Sequence, residues 1–466
     1  MFLHRSLILL GKVFLVHVLI LLSALFLYSS QNLFPTELYR DKLHVAHTYG
    51  LIDANAITRA PTGWGSDKAT ECLSLGMGLQ KSSSLGDRLL NYHPNSTTTY
   101  NPCEGLVHWI QGDEEQYVFQ SYARYWHGHS EIIRWLVLIF GLPIARSLIW
   151  LSMFVMLIAL WNTLQKALSE TFVRSRVLSS LIVGTYAFFA GLPDLHSSMT
   201  HILSEISVLG IALISYKVLR LGDSTRIVLV GYLLGGSYVC TSYMINPQSI
   251  PPAVLVWATI PIMFITKQIS YNLKKYIHLM SSLVLGFISV WASKWIIISI
   301  LTPYNIWSEV KSQALHRSSH SADSLSEGVS RHFVGLDNYP AFLRAIVANF
   351  AALISKIYDP RYSSFLALSI YLLAILFSIV LYTRLRRQES VTKESPQVLH
   401  GKFALSVALI WLFSIFQILI WYAFLTQHSF DHATYTYRSL AISLSAMPMI
   451  LATIASANRS MSQGKS

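Results

Sequence analysis

The sequence predicts an all-α fold, a polytopic transmembrane helical bundle, from three observations. Charged residues make up 12% of the chain and hydrophobic residues 53%, whereas an average soluble domain is roughly 25% charged. The apolar residues gather in runs close to the roughly 20 residues that cross a hydrocarbon layer as a helix. The basic residues fall in short loops between these runs, as the positive-inside rule expects of cytoplasmic loops.

Ten runs are long enough, or nearly so, to span a membrane, and together they place both termini in the cytoplasm. The run at 7–28 is longer than the core of a signal peptide and lacks a small-x-small cleavage site, so we interpret it as a retained first span. The loops at 194–200, 247–250 and 426–434 contain no Lys or Arg, which supports their outer position. The predicted spans lie near residues 7–28, 147–163, 177–193, 201–216, 227–246, 251–267, 277–300, 363–383, 403–425 and 437–457.

The net charge of +12 is explained by this topology rather than by a nucleic-acid partner. The basic residues flank the spans, and no basic-aromatic motif typical of nucleic-acid binding occurs. Membrane lipid is therefore an expected partner, and nucleic acid is not.

The chain is expected to form a single integral membrane domain over residues 1–466, with most of its polar residues in two large outer loops. The first loop, at 29–130, is predicted to be a small folded subdomain over the membrane. It contains Cys72 and Cys103, which can pair in an oxidising compartment and are expected to be linked if the loop is folded.

The second outer loop, at 301–362, contains an amphipathic segment near 341–358 that is typical of a helix lying on the membrane surface. Arg344 and Lys356 are predicted to stay on its polar face. Its apolar stripe consists of Leu343, Val347, Phe350, Ile354 and Ile357.

Residues 131–145 interrupt the regular pattern of spans, since Gly141-Leu142-Pro143 and Arg146 divide a long apolar stretch. We interpret 131–145 as an interfacial segment that leads into the second span. A separate crossing there would break the alternation of charged and uncharged loops.

Histidines and other uncommon polar residues cluster at the predicted outer ends of the spans. Because neighbouring spans bring their ends together, we expect these clusters to line one outward-facing pocket. They are Tyr122 to His129 with Arg124, His127 and His129, then Asp194 and His196 with His201 and Glu205, then Lys294, and finally His428, Asp431 and His432 leading to Arg438.

Lys294 is a cation within the seventh predicted span, where a charge is costly unless it reaches the interface or is paired. One interpretation is snorkelling toward the outer surface. The other is contact with a lipid-linked phosphate. Arg124 and Arg438 similarly suit bidentate phosphate contacts, or ordinary anchoring at the interface.

His428 and His432 are four positions apart, as are His201 and Glu205, so each pair would share one face of a helix. Such pairs occur in metal sites and, more often, at hydrogen-bonded helix ends. A divalent metal is therefore a possible cofactor, and no cofactor is certain.

Acidic residues of the first loop supply candidate bases. Asp67 and Glu71 lie in one short segment, and a pocket that holds both carboxylates and cations favours base-assisted transfer from a phosphorylated donor.

The arrangement resembles the C-type glycosyltransferases, which have many spans, an acidic residue in a long first outer loop, and a later outer loop with a surface helix. Several local elements are similar to those of a group of bacterial multi-pass membrane proteins without an assigned function. These elements are Asp67-x-x-Thr70-Glu71, Tyr122 to His129, Lys294-Trp295, and His428-Ser-x-x-His432 followed by Tyr437-Arg438.

This resemblance implies a multi-pass protein of the bacterial inner membrane that uses a sugar donor on a polyprenyl phosphate and an acceptor outside the cytoplasm. It implies that Glu71 or Asp67 acts as the base, although related enzymes often place the acid just after the first span, where Glu37, Asp41 and Asp53 occur.

The expected function is therefore transfer of a sugar from a lipid-linked donor to a cell-envelope glycan or glycolipid. Two alternatives stay open. A transporter or flippase for lipid-linked saccharides predicts broken helices and charges near the bilayer midplane. A histidine-dependent membrane metalloenzyme predicts a bound metal.

Overall fold

The computed structural model confirms an all-α, multi-pass membrane architecture. Among the residues that the structure describes, six helices are long and apolar enough to cross a membrane, and they coincide with six of the predicted spans. They lie at Ser6–Ser29, Leu142–Ser169, Met199–Leu221, Pro247–Thr266, Ile269–Leu301 and Phe403–Phe424. The structure describes residues 2–33, 35–54, 57–58, 66–79, 84–99, 101–192, 195, 198–242, 246–318, 340–355, 401–431 and 436–454.

The predicted spans at 177–193, 227–246 and 437–457 correspond to shorter helices, and the predicted span at 363–383 lies outside the described residues. The helices are α1 Phe2–Ser29, α2 Thr36–Thr48, α3 Lys68–Gly76, α4 Leu85–Leu89, α5 Pro102–Gln111, α6 Gly128–Phe140, α7 Leu142–Ser169, α8 Ser175–Phe189, α9 Met199–Leu221, α10 Ser224–Thr241, α11 Ile250–Ala253, α12 Ile260–Thr266, α13 Ile269–Leu301, α14 Ile306–Ser318, α15 Ala341–Ser355, α16 Gly401–Phe424, α17 Thr426–Asp431 and α18 Arg438–Ser445.

Helices α10 and α13 form a closely packed pair because glycines remove side chains from their interface. A Cβ atom on Gly235 would meet the carbonyl oxygen of Leu283, and one on Gly286 would meet that of Tyr232. Small residues allow such approach between membrane helices. The close contact fixes where the C-terminal half of α13, which carries Lys294, lies in the bundle.

The first outer loop forms a folded cap that packs against α6, α7 and α9. It contains two short antiparallel pairs, β1 Ile57–Thr58 with β2 Ser66–Asp67, and β3 His93–Ser96 with β4 Tyr117–Gln120. A disulfide joins Cys72 in α3 to Cys103 in α5, with their Cα atoms 5.0 Å apart. The cross-link holds these two helices of the cap together.

Residues 131–145, which were predicted to be an interfacial segment, form most of helix α6 and the first turn of α7. Helix α6 buries Ile133 and Val137 completely. It ends at Gly141, whose φ of 77° suits a residue without a Cβ. The second span then begins at Leu142, five residues before the predicted start at 147, because Pro143 is favoured in the first turn of a helix.

Helix α15 packs against α16, α17 and α18 rather than only lying on a surface. Ala345 and Ala348 are fully buried there, and Arg344 is only 9% exposed, whereas Val347 is 38% exposed. Arg344, which was predicted to lie on the polar face of this helix, is therefore buried in the protein. The small alanines let the neighbouring helices approach this side, and Arg344 is enclosed with them.

Candidate functional site

Three of the predicted polar clusters come close together beneath the cap, where adjacent residues of α9 contact two of them. The Ser74 hydroxyl lies 3.0 Å from Nε2 of His129 and accepts a 2.9 Å hydrogen bond from the Thr200 hydroxyl. The next residue, His201, has its Nδ1 3.3 Å from Nη1 of Arg438. The first outer loop, the start of α9 and the start of α18 are thus connected.

Arg438 is held in place at the first residue of α18. It is 4% exposed, and its Nε donates a 3.1 Å hydrogen bond to the carbonyl oxygen of Ala190. The hydroxyl of Tyr437 donates to the same oxygen at 3.1 Å. Because Arg438 can only donate, Nδ1 of His201 accepts in this contact, which leaves Nε2 of that ring as a donor.

Glu205 lies two turns into α9, about 9 Å along the helix axis from Met199. Its side chain is fully buried. The Tyr186 hydroxyl donates to one carboxylate oxygen, and Nδ2 of Asn246 donates to the other at 3.0 Å. His201 contacts Arg438, and Glu205 accepts hydrogen bonds from Tyr186 and Asn246.

Glu71 is engaged by a bidentate ion pair with Arg146. Both distances are 3.2 Å, from Nε to Oε1 and from Nη2 to Oε2, and Glu71 is only 2% exposed. Burial raises the pKa of the Glu71 carboxyl, and the Arg146 guanidinium opposes that shift. The pair joins the cap to α7. The other candidate base, Asp67, lies in β2, and its side chain is outside the described part of the structure.

Lys294 is fully buried, so the snorkelling interpretation is wrong. Its ammonium group donates to the carbonyl oxygen of Tyr125. Nearby on α13, the indole nitrogens of Trp291 and Trp295 donate to the carbonyl oxygen of Arg124 at 2.6 and 3.0 Å. Helix α13 therefore binds the backbone of the 122–129 segment through hydrogen bonds to two consecutive carbonyl oxygens.

Arg124 forms an ion pair rather than presenting itself as an open phosphate site. Its Nη1 lies 3.0 Å from Oε1 of Glu309 in α14, and the hydroxyl of Tyr304 donates to the other oxygen of that carboxylate at 2.9 Å. The guanidinium also lies 4.1 Å from the centre of the Tyr122 ring. Arg124 thus ties α14 to the end of the cap.

His127 and His129 form a buried imidazole pair at the start of α6, with ring centres 5.5 Å apart. His127 also stacks on Tyr122 at 4.7 Å. Burial lowers the pKa of His129 to about 3 and moves that of His127 in the same direction. Both rings are therefore neutral at ordinary pH, and they act as hydrogen-bonding groups rather than as cations.

The predicted metal-binding pair near the end of the chain is only partly described. His428 lies in α17 and is 8% exposed. His432, Asp194 and His196 lie outside the described residues, and the side chain of Asp431 is not described. Across the described ranges, no three His, Cys, Asp or Glu side chains form a group that could hold a metal ion.

Several residues of this site were not singled out from the sequence. Arg146 was treated only as an interruption of an apolar stretch, and Asn246 and Gln248 are uncharged residues near the end of a predicted span. Ser74 and Thr200 are common residue types that carry no pattern of their own. Their roles follow from contacts between distant parts of the chain, which local spacing does not contain.

Comparisons with known proteins gave no assignment. No protein-family model matches the chain. Searches against curated proteins and against solved structures likewise found no match.

Proposed function

We propose that the protein is a membrane glycosyltransferase that moves a sugar from a polyprenyl-phosphate donor to a glycan or glycolipid acceptor. The observation that supports this best is the contact between Arg438 and His201, which directly follows Thr200, the residue that donates to the cap, with the buried carboxylate of Glu205 in the same helix. Glycosyl transfer from a phosphate needs a cationic group for the departing phosphate and a base for the acceptor hydroxyl. Both kinds of group are present here.

We assign phosphate binding to Arg438 and His201. A guanidinium forms strong charge-assisted hydrogen bonds to phosphate oxygens, and Nε2–H of His201 adds a neutral donor. As the bond between the sugar carbon and the phosphate oxygen breaks, negative charge grows on the phosphate. The Arg438 guanidinium is held by the carbonyl oxygen of Ala190, and His201 lies in the first turn of α9. These donors can therefore stabilise the charge without having to reorganise.

Glu205 is a better candidate base than Glu71. The bidentate Arg146 guanidinium opposes the rise that burial causes in the pKa of Glu71, whereas Glu205 is held by the neutral donors Tyr186 and Asn246. In the proposed step, the acceptor oxygen bonds to the sugar carbon, its proton passes to the Glu205 carboxylate, and the polyprenyl phosphate departs. Asp67 remains the alternative base from the sequence.

The test is transfer by the purified protein in lipid nanodiscs, with radiolabelled polyprenyl-phospho-hexoses or -pentoses and an envelope glycan acceptor. Arg438→Met and Glu205→Gln should each lower turnover by at least about 100-fold, which corresponds to roughly 2.7 kcal/mol of lost transition-state stabilisation. The matched control is Arg226→Met, whose side chain is 75% exposed. Turnover that is unchanged in Arg438→Met, or absent for every donor, would reject the proposal.

A transporter for lipid-linked saccharides is the second candidate, because the segment from Pro247 to Thr266 is an interrupted helix. It passes from a 3-10 turn through α11 into a π-helix at Val254–Thr259 before α12 begins. Interrupted helices beside a buried carboxylate occur in transporters. Movement of a fluorescent lipid-linked saccharide across proteoliposomes, without any sugar transfer, would favour this candidate.

A further inference from the structure

Gln248 is a buried amide whose polar atoms are not used within the described part of the chain. It is 4% exposed, and neither its Oε1 nor its Nε2 has a hydrogen-bond partner among the described residues. Asn246, two positions earlier, is fully buried, and its Oδ1 is likewise unpartnered there. Buried polar groups normally have partners, so these three amide atoms without a described partner in one short turn require an explanation.

These amides lie beside the residues assigned to the reaction. Asn246 donates from Nδ2 to Oε1 of Glu205 at 3.0 Å, and this contact fixes which atom of the amide is its oxygen, because a carboxylate accepts. Ser249 follows Gln248 directly, and its hydroxyl lies 3.0 Å from that of Ser439, the residue after Arg438. The turn that carries the unsatisfied atoms therefore contacts the candidate base at Asn246 and, at Ser249, the residue that follows the candidate phosphate-binding group.

We infer that Asn246 and Gln248 bind hydroxyl groups of the sugar carried by the lipid donor. This inference rests on the proposed function and adds to it the part of the substrate that these residues recognise. The two amide oxygens offer acceptors, which suit hydroxyl donors and repel a phosphate. Nε2 of Gln248 offers a donor to a hydroxyl oxygen. Arg438 and His201 would hold the phosphate, while the turn at 246–248 would hold the neutral saccharide.

A structural amide in the same bundle behaves differently. Asn272, at the start of α13, is 3% exposed, and its Nδ2 donates both to the Thr266 hydroxyl at 2.6 Å and to the Gln268 carbonyl oxygen at 2.7 Å. Replacing a satisfied amide leaves its partners unpaired and should destabilise the fold. Replacing Gln248 by an apolar side chain of similar size removes no such bond to the residues that the structure describes.

The test measures binding by the full-length protein in nanodiscs to polyprenyl phosphate alone and to polyprenyl-phospho-glucose, -mannose and -arabinose. Gln248→Leu should weaken binding of the preferred glycosylated donor by about 10- to 100-fold and change binding of the bare lipid phosphate less than about twofold. Its thermal midpoint should equal or exceed that of the wild type. Asn272→Leu should lower the thermal midpoint and leave the preference for the glycosylated donor unchanged. Gln248→Met is the second variant if Gln248→Leu does not fold.

The outcomes separate this inference from the proposed function. If Gln248→Leu keeps the wild-type preference for a glycosylated donor, the inference is overturned while the proposed function stands. A thermal midpoint that falls as far as in Asn272→Leu would also overturn it, since Gln248 would then have a structural role. If the wild type binds and transfers no glycosylated donor, both proposals fail.

Discussion

The ammonium group of Lys294 donates a hydrogen bond to the backbone carbonyl oxygen of Tyr125, although the two residues are 169 positions apart. The lysine is fully buried, so its amino group makes its hydrogen bond inside the protein and not at the membrane surface. Its contact, with those of Trp291 and Trp295 to Arg124, fixes the entry to α6. We therefore regard Lys294 as a positioning residue for the segment that carries His127 and His129.

Lys294→Met should loosen the attachment of the 122–129 segment to α13. Methionine fills a similar volume but removes one donor from the Tyr125 carbonyl, which keeps the 2.9 Å hydrogen bond from Nδ2 of Asn91, so the loss should be about 0.5–1.5 kcal/mol. The check is the thermal midpoint, together with faster hydrogen exchange of amides in 122–129. Lys311→Met, at an exposed position of α14, is the control. Equal midpoints and equal exchange in the two variants would contradict the role given to Lys294.

The Glu71–Arg146 pair should show strong coupling in a double-mutant cycle. Glu71→Gln and Arg146→Met should each destabilise the protein by about 3–5 kcal/mol, because each leaves a buried charge without its partner. The double variant should lose much less than the sum. The matched control is Glu37 with Arg40, whose side chains are 74% and 32% exposed, and whose coupling should stay below about 1 kcal/mol. Additive losses at Glu71 and Arg146 would show that the pair is not coupled.

Stability should decline as the pH falls below about 6.5, the ordinary pKa of histidine. Burial lowers the pKa of His93 to about 4 and that of His129 to about 3 in the folded protein. Between pH 6.5 and those values the unfolded chain binds protons that the folded chain does not. Each histidine therefore lowers the free energy of unfolding by up to about 1.4 kcal/mol per pH unit.

The variant that checks this pH dependence is His129→Gln, which keeps a polar group near Ser74 but does not titrate. Thermal midpoints measured from pH 8 down to pH 5 should fall less steeply in the variant than in the wild type. The values at pH 8, where both proteins carry a neutral group at this position, give the reference. Parallel curves would show that His129 does not contribute to the acid sensitivity.

The predicted orientation can be tested by cysteine labelling in intact cells, with Glu114 in the cap and Asp223 in the loop before α10 as exposed sites. Glu114→Cys should react with an impermeant maleimide from outside, and Asp223→Cys should react only after the membrane is opened. The native background should be low, because Cys72 and Cys103 form a disulfide and Cys240 is buried. Labelling of Asp223→Cys from outside would contradict the predicted orientation and indicate the opposite one.

The sequence by itself determined that the chain is an all-α multi-pass membrane protein, and it located most of its spans. This was possible because hydropathy and segment length are local properties that follow from the thickness of a bilayer. The irregularity at 131–145 was visible for the same reason. The burial of this segment was not visible in the sequence, since only the packing of the helices decides that α6 encloses Ile133 and Val137.

Only the tertiary structure decided which polar groups meet. The sequence placed Glu71, His129, His201, Lys294 and Arg438 near one side of the membrane, but it gave no indication that Glu71 is paired with Arg146 or that Lys294 contacts a backbone carbonyl. A buried charge or amide forms its hydrogen bond or ion pair with the group that the packing of distant helices brings within about 3 Å. That choice depends on contacts between residues tens to hundreds of positions apart, and no local pattern in the chain encodes it.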